Sequence, residues 1–297
     1  MGRSKPRALA RIVTLAAGIG VPGFVHAADL LPPPPPPPPP VEVGGGWYLR
    51  GDVGVGITDL RQTIAEDVTV PAKPYKYKTI QDHLSDQFFI GAGVGYQFNP
   101  WLRADITGEY RSQADWRFVS KDVSPGVGPG QNLYNRDTGK LSTVVSLANV
   151  YADLGTWYGV TPFIGAGVGV AHHMFGSVTD EGLGDAAGGF GYGPSNAKTN
   201  LAWAVHAGLG YAVSPNLKLE LAYRYLNMGE ARSGRLDCFP GCVNPPLSTV
   251  YTLKDIESHD IKIGMRWMLG GPVVAPVPVP VASFEPAPPP GPIVRKY

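Results

Sequence analysis

The sequence predicts an all-β fold, an eight-stranded antiparallel transmembrane β-barrel with disordered, proline-rich periplasmic termini. Three observations predict it. A hairpin, FFIGAGVGYQFNPWLRADITGEYR from Phe88 to Arg111, carries one apolar and one polar face. Its pattern returns 115 positions later as AGLGYAVSPNLKLELAYRY, Ala207 to Tyr225. Connections between strands alternate between short turns and long polar loops, the habit of outer-membrane barrels.

In the hairpin, side chains alternate between faces, so Phe88, Ile90, Ala92, Val94, Tyr96 and Phe98 share one face. Gln87, Phe89, Gly91, Gly93, Gly95 and Gln97 share the other. After the turn at Asn99 and Pro100, Leu102, Ala104, Ile106 and Tyr110 oppose a face of Arg103, Asp105, Thr107, Glu109 and Arg111. The repeat keeps Ala92, Gly93, Gly95, Tyr96, Pro100, Leu102 and Tyr110 by identity, and Lys218 and Glu220 stand where Arg103 and Asp105 stood.

Composition sets the frame. The chain's 39 glycines and 31 prolines are too many for an ordinary globular protein of 297 residues, and most of the proline lies outside the alternating region. A net charge of +1 without a basic, aromatic-interleaved stripe argues against a nucleic-acid partner.

From the amino end, Arg3, Lys5, Arg7 and Arg11 precede an apolar run, Ile12 to Gly20, and Val25-His26-Ala27. This reads as a secretory signal peptide over residues 1–27. Residues 28–46 read as a periplasmic spacer: Pro32 to Pro40 make a stiff polyproline II rod of roughly 28 Å at about 3.1 Å per residue. The barrel is expected over 47–269, beginning with Trp47, Leu49, Val53, Val55 and Ile57 against Tyr48, Arg50, Asp52, Gly54 and Gly56. The hairpin supplies strands two and three. A weaker fourth lies near Thr143 to Leu154, with Asn149, Tyr151 and Asp153 on its polar side, and the fifth spans Phe163 to His172. The repeat gives the sixth and seventh, Asn200 to Val213 and Leu217 to Leu226, and His259 to Leu269 the eighth. Long polar loops are expected at about 59 to 85, 112 to 141, 174 to 199 and 227 to 257. Residues 270–297 read as a second disordered periplasmic tail.

Alternation alone does not say which face points inward, since a soluble eight-stranded barrel buries its apolar face. Glycines crowd the polar face, as a narrow lumen filled with charged side chains requires. Trp47, Tyr96, Phe98, Tyr110, Trp203, Tyr211, Tyr225 and Trp267 sit on the apolar face toward strand ends, like the aromatic girdles of a lipid-facing wall. The lumen is then expected to hold Arg50, Asp52, Arg103, Asp105, Glu109, Arg111, Lys218, Glu220, Arg224, Asp260, Lys262 and Arg266. Such charges need one another as partners, and a structural polar core is preferred to a conduction path.

The last strand carries Lys262, Gly264, Trp267 and Leu269 in a spacing that resembles the signal read by the outer-membrane insertion machinery. With AADLLPPP, GAGVGYQF and YRYLNMG, it resembles the small alphaproteobacterial outer-membrane barrels of the OmpA-like and opacity-protein superfamily. The resemblance covers Ala28 to Leu269 and implies residence in the Gram-negative outer membrane, with outer-membrane lipid and the insertion machinery as partners. Barrels of that kind that begin with Ala-Asp can be joined to peptidoglycan through the terminal amine, so the resemblance offers that role to Ala28-Asp29, with an untethered tail as the alternative. The sequence departs from the pattern in the residues after Leu269 and in CFPGC, where Cys238 and Cys242 can close a disulfide in an oxidising compartment.

No catalytic constellation, cofactor or metal site is expected. His172 and His173 are adjacent at the outer rim, and Ser258 and His259 are neighbours that face opposite ways along a strand. The expected function is a surface-exposed structural barrel whose loops meet unknown extracellular ligands. The alternative is a narrow channel or a receptor for a small ligand such as haem.

Overall fold

The computed structural model describes residues 46–68, 76–124, 127–128, 130–239 and 248–270. The signal peptide, most of the spacer and the tail expected from the sequence lie outside the described residues. The strands are β1 (Gly46–Asp67), β2 (Tyr77–Leu84), β3 (Gln87–Gln97), β4 (Leu102–Asp122), β5 (Leu133–Asp153) and β6 (Val160–Phe175). They continue as β7 (Val178–Gly184), β8 (Phe190–Gly193), β9 (Asn196–Ala212), β10 (Leu217–Asn227), β11 (Ala231–Arg232), β12 (Leu236–Cys238) and β13 (Ser248–Met268).

Eight of these close a ring through antiparallel pairing at every step: β1 with β3, β3 with β4, β4 with β5 and β5 with β6. It continues from β6 to β9, β10 and β13, and β13 returns to β1. The expected eight-stranded barrel is therefore observed. Closure leaves no exposed sheet edge, which a bilayer would not tolerate. Outward-facing Leu49, Val53, Val55, Ile57, Ile90, Ile106, Leu221 and Ile263 are exposed, so the apolar face is the outer wall. Trp47, Trp101, Trp157 and Trp267 ring its lower end, beside the short turns.

The long loops expected at 59–85, 112–141, 174–199 and 227–257 are largely strand instead. Above the apolar belt, β1, β4, β5 and β13 continue, and β2, β7, β8 and β12 take the places of the neighbours that stop. β5 pairs β7, β7 pairs β8, β8 pairs β12, β12 pairs β13, and β2 flanks β4. The remaining gap, between β1 and β2, is bridged by side chains. Asp82 accepts hydrogen bonds from the Thr63 N–H (2.6 Å) and hydroxyl (2.8 Å), and the Tyr77 hydroxyl accepts one from the Ala65 N–H. The result is a second, extracellular ring standing on the first.

This extension escaped the alternation because its polarity is reversed. In lipid the outer face must be apolar; in water it must be polar. Along β4, Arg103, Asp105, Glu109 and Arg111 point inward, whereas higher up Ala114, Trp116 and Phe118 do, with Gln113, Asp115 and Arg117 outside. The inward set changes from odd to even positions at a register shift between Arg111 and Ala114. One added residue flips every later side chain to the other face, and this bulge marks where the membrane ends.

Candidate functional site

The interior consists of two layers. The lower one is ionic: Arg50, Arg103, Arg111, Arg224, Lys262 and Arg266 are buried with Asp52, Asp105, Glu109, Asp153, Glu220 and Asp260, six cations against six carboxylates. The expected lumen set had seven cations against five acids; Asp153, on the polar side of its strand, supplies the sixth acid, and without Lys218 six cations remain. Lys218 is only half-buried, at the periplasmic end.

Near the top of this layer, Arg224 makes a two-pronged contact with Glu109, Nη1 to Oε2 and Nη2 to Oε1, both at 2.8 Å. Its Nε also donates to Asp260 at 2.8 Å. Arg111 donates to Asp260 Oδ1 at 2.6 Å, to Ser258 at 2.7 Å and to Glu109 at 3.2 Å. Both guanidinium carbons lie 5.0 Å from the Phe89 ring centre. Lower down, Arg50 grips Asp52 with two bonds of 2.9 Å and donates to Asp105 at 2.7 Å and to Tyr151 at 3.1 Å. Arg103 donates to Asp153 at 3.1 Å and stacks 4.1 Å from the Tyr151 ring centre. Arg266 reaches Glu220 at 3.1 Å and Gln97 at 2.9 Å, and Lys262 lies 3.5 Å from Asp52.

Inward glycines leave the space this layer occupies. A Cβ at Gly56 would run into the Arg111 guanidinium and the Asp260 carboxylate, and one at Gly264 would run into Asp52.

An apolar core begins beside the upper charges, where Leu147 pairs Thr107 and Val145 pairs Glu109, with Ala204 and Leu226 next to them, and it continues upward through Met228 and Ile256 to Leu84, Trp116, Phe118, Leu141, Phe175 and Tyr251. The Trp116 ring centre lies 5.5 Å from that of Phe175 and 5.2 Å from that of Tyr251. Within the extracellular ring, Asp137 and Asp180 face each other across β5 and β7, and Asp137 is fully buried. Burial, reinforced by the Asp180 charge, holds the Asp137 carboxyl well above the usual range, and burial followed by the charge of Glu181 raises Asp180 to about 6. Glu230 is held below its ordinary value by hydrogen bonds from Lys198 and Lys254.

His173 is buried between the Thr143 hydroxyl (2.9 Å) and the Met228 carbonyl (3.0 Å), whereas His172 points outward to Thr199. The pair therefore does not grip a ligand from one side. Ser258 points inward to Asp260, and His259 points outward to the Tyr223 hydroxyl at 2.7 Å, so they form no catalytic couple. Cys238 is disulfide-bonded, and Cys242 lies outside the described residues, as do Ala28 and Asp29. On β13, Trp267 faces outward and Lys262 faces the lumen, and Leu269, just past its end, is exposed. The sequence puts Gln87, Gln97, Tyr48 and Tyr151 on polar faces without assigning them to the charge network; the structure bonds all four, and His206, into the same layer. Their place on the charged side of each strand was the available signal.

Comparison with known proteins agrees with this architecture. Residues 38–268 match the family model described as outer membrane protein beta-barrel domain. An uncharacterised protein of Brucella abortus is 32% identical over 201 residues, covering 62% of this chain and 68% of that one. The outer membrane protein PagN of Salmonella typhimurium is 26% identical over 62% of this chain and 75% of its own. An opacity protein of Neisseria gonorrhoeae is 27% identical over 65% of this chain and 92% of its own.

Proposed function

The chain belongs to the outer membrane protein β-barrel domain family and resides in the Gram-negative outer membrane, and from that premise we propose that it is a sealed structural barrel. It stiffens the outer membrane and offers its extracellular ring for contact with other cells or surfaces. The observation that carries this reading is the double seal: a charge-balanced ionic layer with a buried apolar core packed beside its top and continuing above it. A barrel of eight strands is wide enough only for side chains to fill, so the working surface is the outside. The tall ring, with hydrogen-bonded strands on both sides of its tips, supplies a rigid platform for such contact, and the names of relatives such as the opacity protein fit a surface role.

Two partners belong to the same proposal. Lys262, Gly264, Trp267 and Leu269 are recognised by the barrel-insertion machinery, and the Ala28-Asp29 end is joined to peptidoglycan beneath the membrane. Deleting the gene tests the whole. The account expects sensitivity to detergent and reduced attachment to surfaces, together with barrel peptides released by trypsin from boiled sacculi of the parent strain. A deletion strain with unchanged detergent resistance and attachment would overturn the structural and contact role, and sacculi free of the protein would remove the tether.

A further inference from the structure

Above the lipid-facing belt, the outer wall of β2, β4, β5 and β7 carries a half-open cavity of about 830 Å³. Strand register arranges its lining in rows. His83 stands beside Arg117, Arg117 beside Thr138, and Thr138 beside Thr179, four strands in a line. One step nearer the membrane, Asp115 stands beside Lys140. A second cavity of about 500 Å³ adjoins the first and shares Gln113, Lys140 and Gly176 with it.

Three features mark this wall as a binding surface. First, every arginine among the described residues except Arg117 has an acidic partner within ion-pair distance, and Lys140 also has none. Lys76, Lys78 and Lys121 also stand without an acid at that distance, but Arg117 and Lys140 are exposed together in one cavity, with His83 alongside and Asp115 as the acid among them. Second, the remaining lining is rich in donors: Ser85, Gln113, Thr138, Ser177 and Thr179. Third, the height is that of a lipid headgroup. On the same strands, just below, the outward side chains are Tyr110 and Val144, both exposed on the apolar wall. A lipid whose acyl chains lie against Tyr110 and Val144 brings its headgroup to Lys140 and Arg117.

We propose that this cavity binds the phosphate-bearing headgroup of an outer-leaflet glycolipid, with Arg117 and Lys140 on the phosphate and the hydroxyl and amide groups on the sugar. A guanidinium and an ammonium side by side suit a phosphate oxyanion, and the volume lies within the range of pockets that hold a molecule rather than a lone ion. The site is separate from whatever the tips of the ring contact, because it lies on the wall at the membrane surface.

The test uses native mass spectrometry of the refolded full-length barrel with diphosphorylated lipid A, dephosphorylated lipid A and inorganic phosphate. Wild-type protein is expected to retain the phosphorylated lipid, to retain the dephosphorylated one at least tenfold less, and to keep its lipid when inorganic phosphate is added. The Arg117→Gln/Lys140→Gln variant should lose at least tenfold in retention, while Arg61→Gln/Arg232→Gln, which removes the same charge elsewhere on the ring, should retain lipid as the wild type does. Heat-modifiable migration on gels verifies that each variant is folded. Equal retention by the Arg117/Lys140 variant, equal retention of the two lipids, or displacement by inorganic phosphate would each overturn the proposal.

Discussion

Arg224 and Glu109 occupy equivalent positions of the repeated hairpin, 115 residues apart, and bond to each other across the lumen. Breaking one side of a buried ion pair leaves an uncompensated charge and costs about 3–5 kcal/mol, whereas replacing both by apolar groups costs far less. Glu109→Leu and Arg224→Met should each lower stability toward urea by that order, and the double variant should recover most of it. Additive losses would contradict the pairing. The Asp137–Asp180 couple sets a pH dependence of the opposite kind from most carboxylates. Both are raised in the folded ring, Asp180 to about 6, so the folded state holds more protons than the unfolded one. Stability is therefore greatest below the ordinary carboxylate range and falls as pH rises through the folded values. Protection of the ring against proteolysis should increase from about pH 8 to about pH 5. Asp137→Asn should flatten that slope, and an unchanged slope would assign it to other groups.

At the level of single strands, what the sequence revealed depended on the solvent each half faces. The lower halves of β1, β3, β4, β10 and β13 were legible because lipid outside and charge inside give an unbroken period of two. The upper halves were not, because water on the outside reverses the code and the bulge at Arg111–Ala114 breaks the parity. Trp116 and Phe118 then look like stray aromatics in a polar loop, although they anchor the upper core. Charged residues stand out on one face of a membrane strand because they have nowhere else to go, whereas Tyr48 and Tyr151 share that face and signal only their side, not their bonding partners. β13 holds the seam, paired to β1 on one side and β10 on the other. Its outward Trp267 has no internal packing role, so Trp267→Ala should reduce the amount of folded barrel in the outer membrane by impairing recognition of the strand. Leu183→Ala, in the extracellular ring, should not. Normal membrane levels of the Trp267 variant would remove the insertion argument.

In the whole molecule, the repeated hairpins become β3–β4 and β9–β10, which stand four places apart in a ring of eight and so face each other. The repeat is thus built into the lumen as opposed walls at equal height, with charge reversed where equivalent residues meet. Six buried cations and six buried carboxylates, with aromatic and aliphatic side chains beside and above them, reach across the barrel from wall to wall, as Arg224 on β10 does to Glu109 on β4. A continuous aqueous path would have to separate several of these ion pairs at once, at several kcal/mol each. Single-channel recording of the refolded full-length protein in a planar bilayer tests this most directly. The account predicts no steady conductance at neutral pH. A stable, reproducible conductance step of defined size would contradict the sealed barrel and make the lumen a channel.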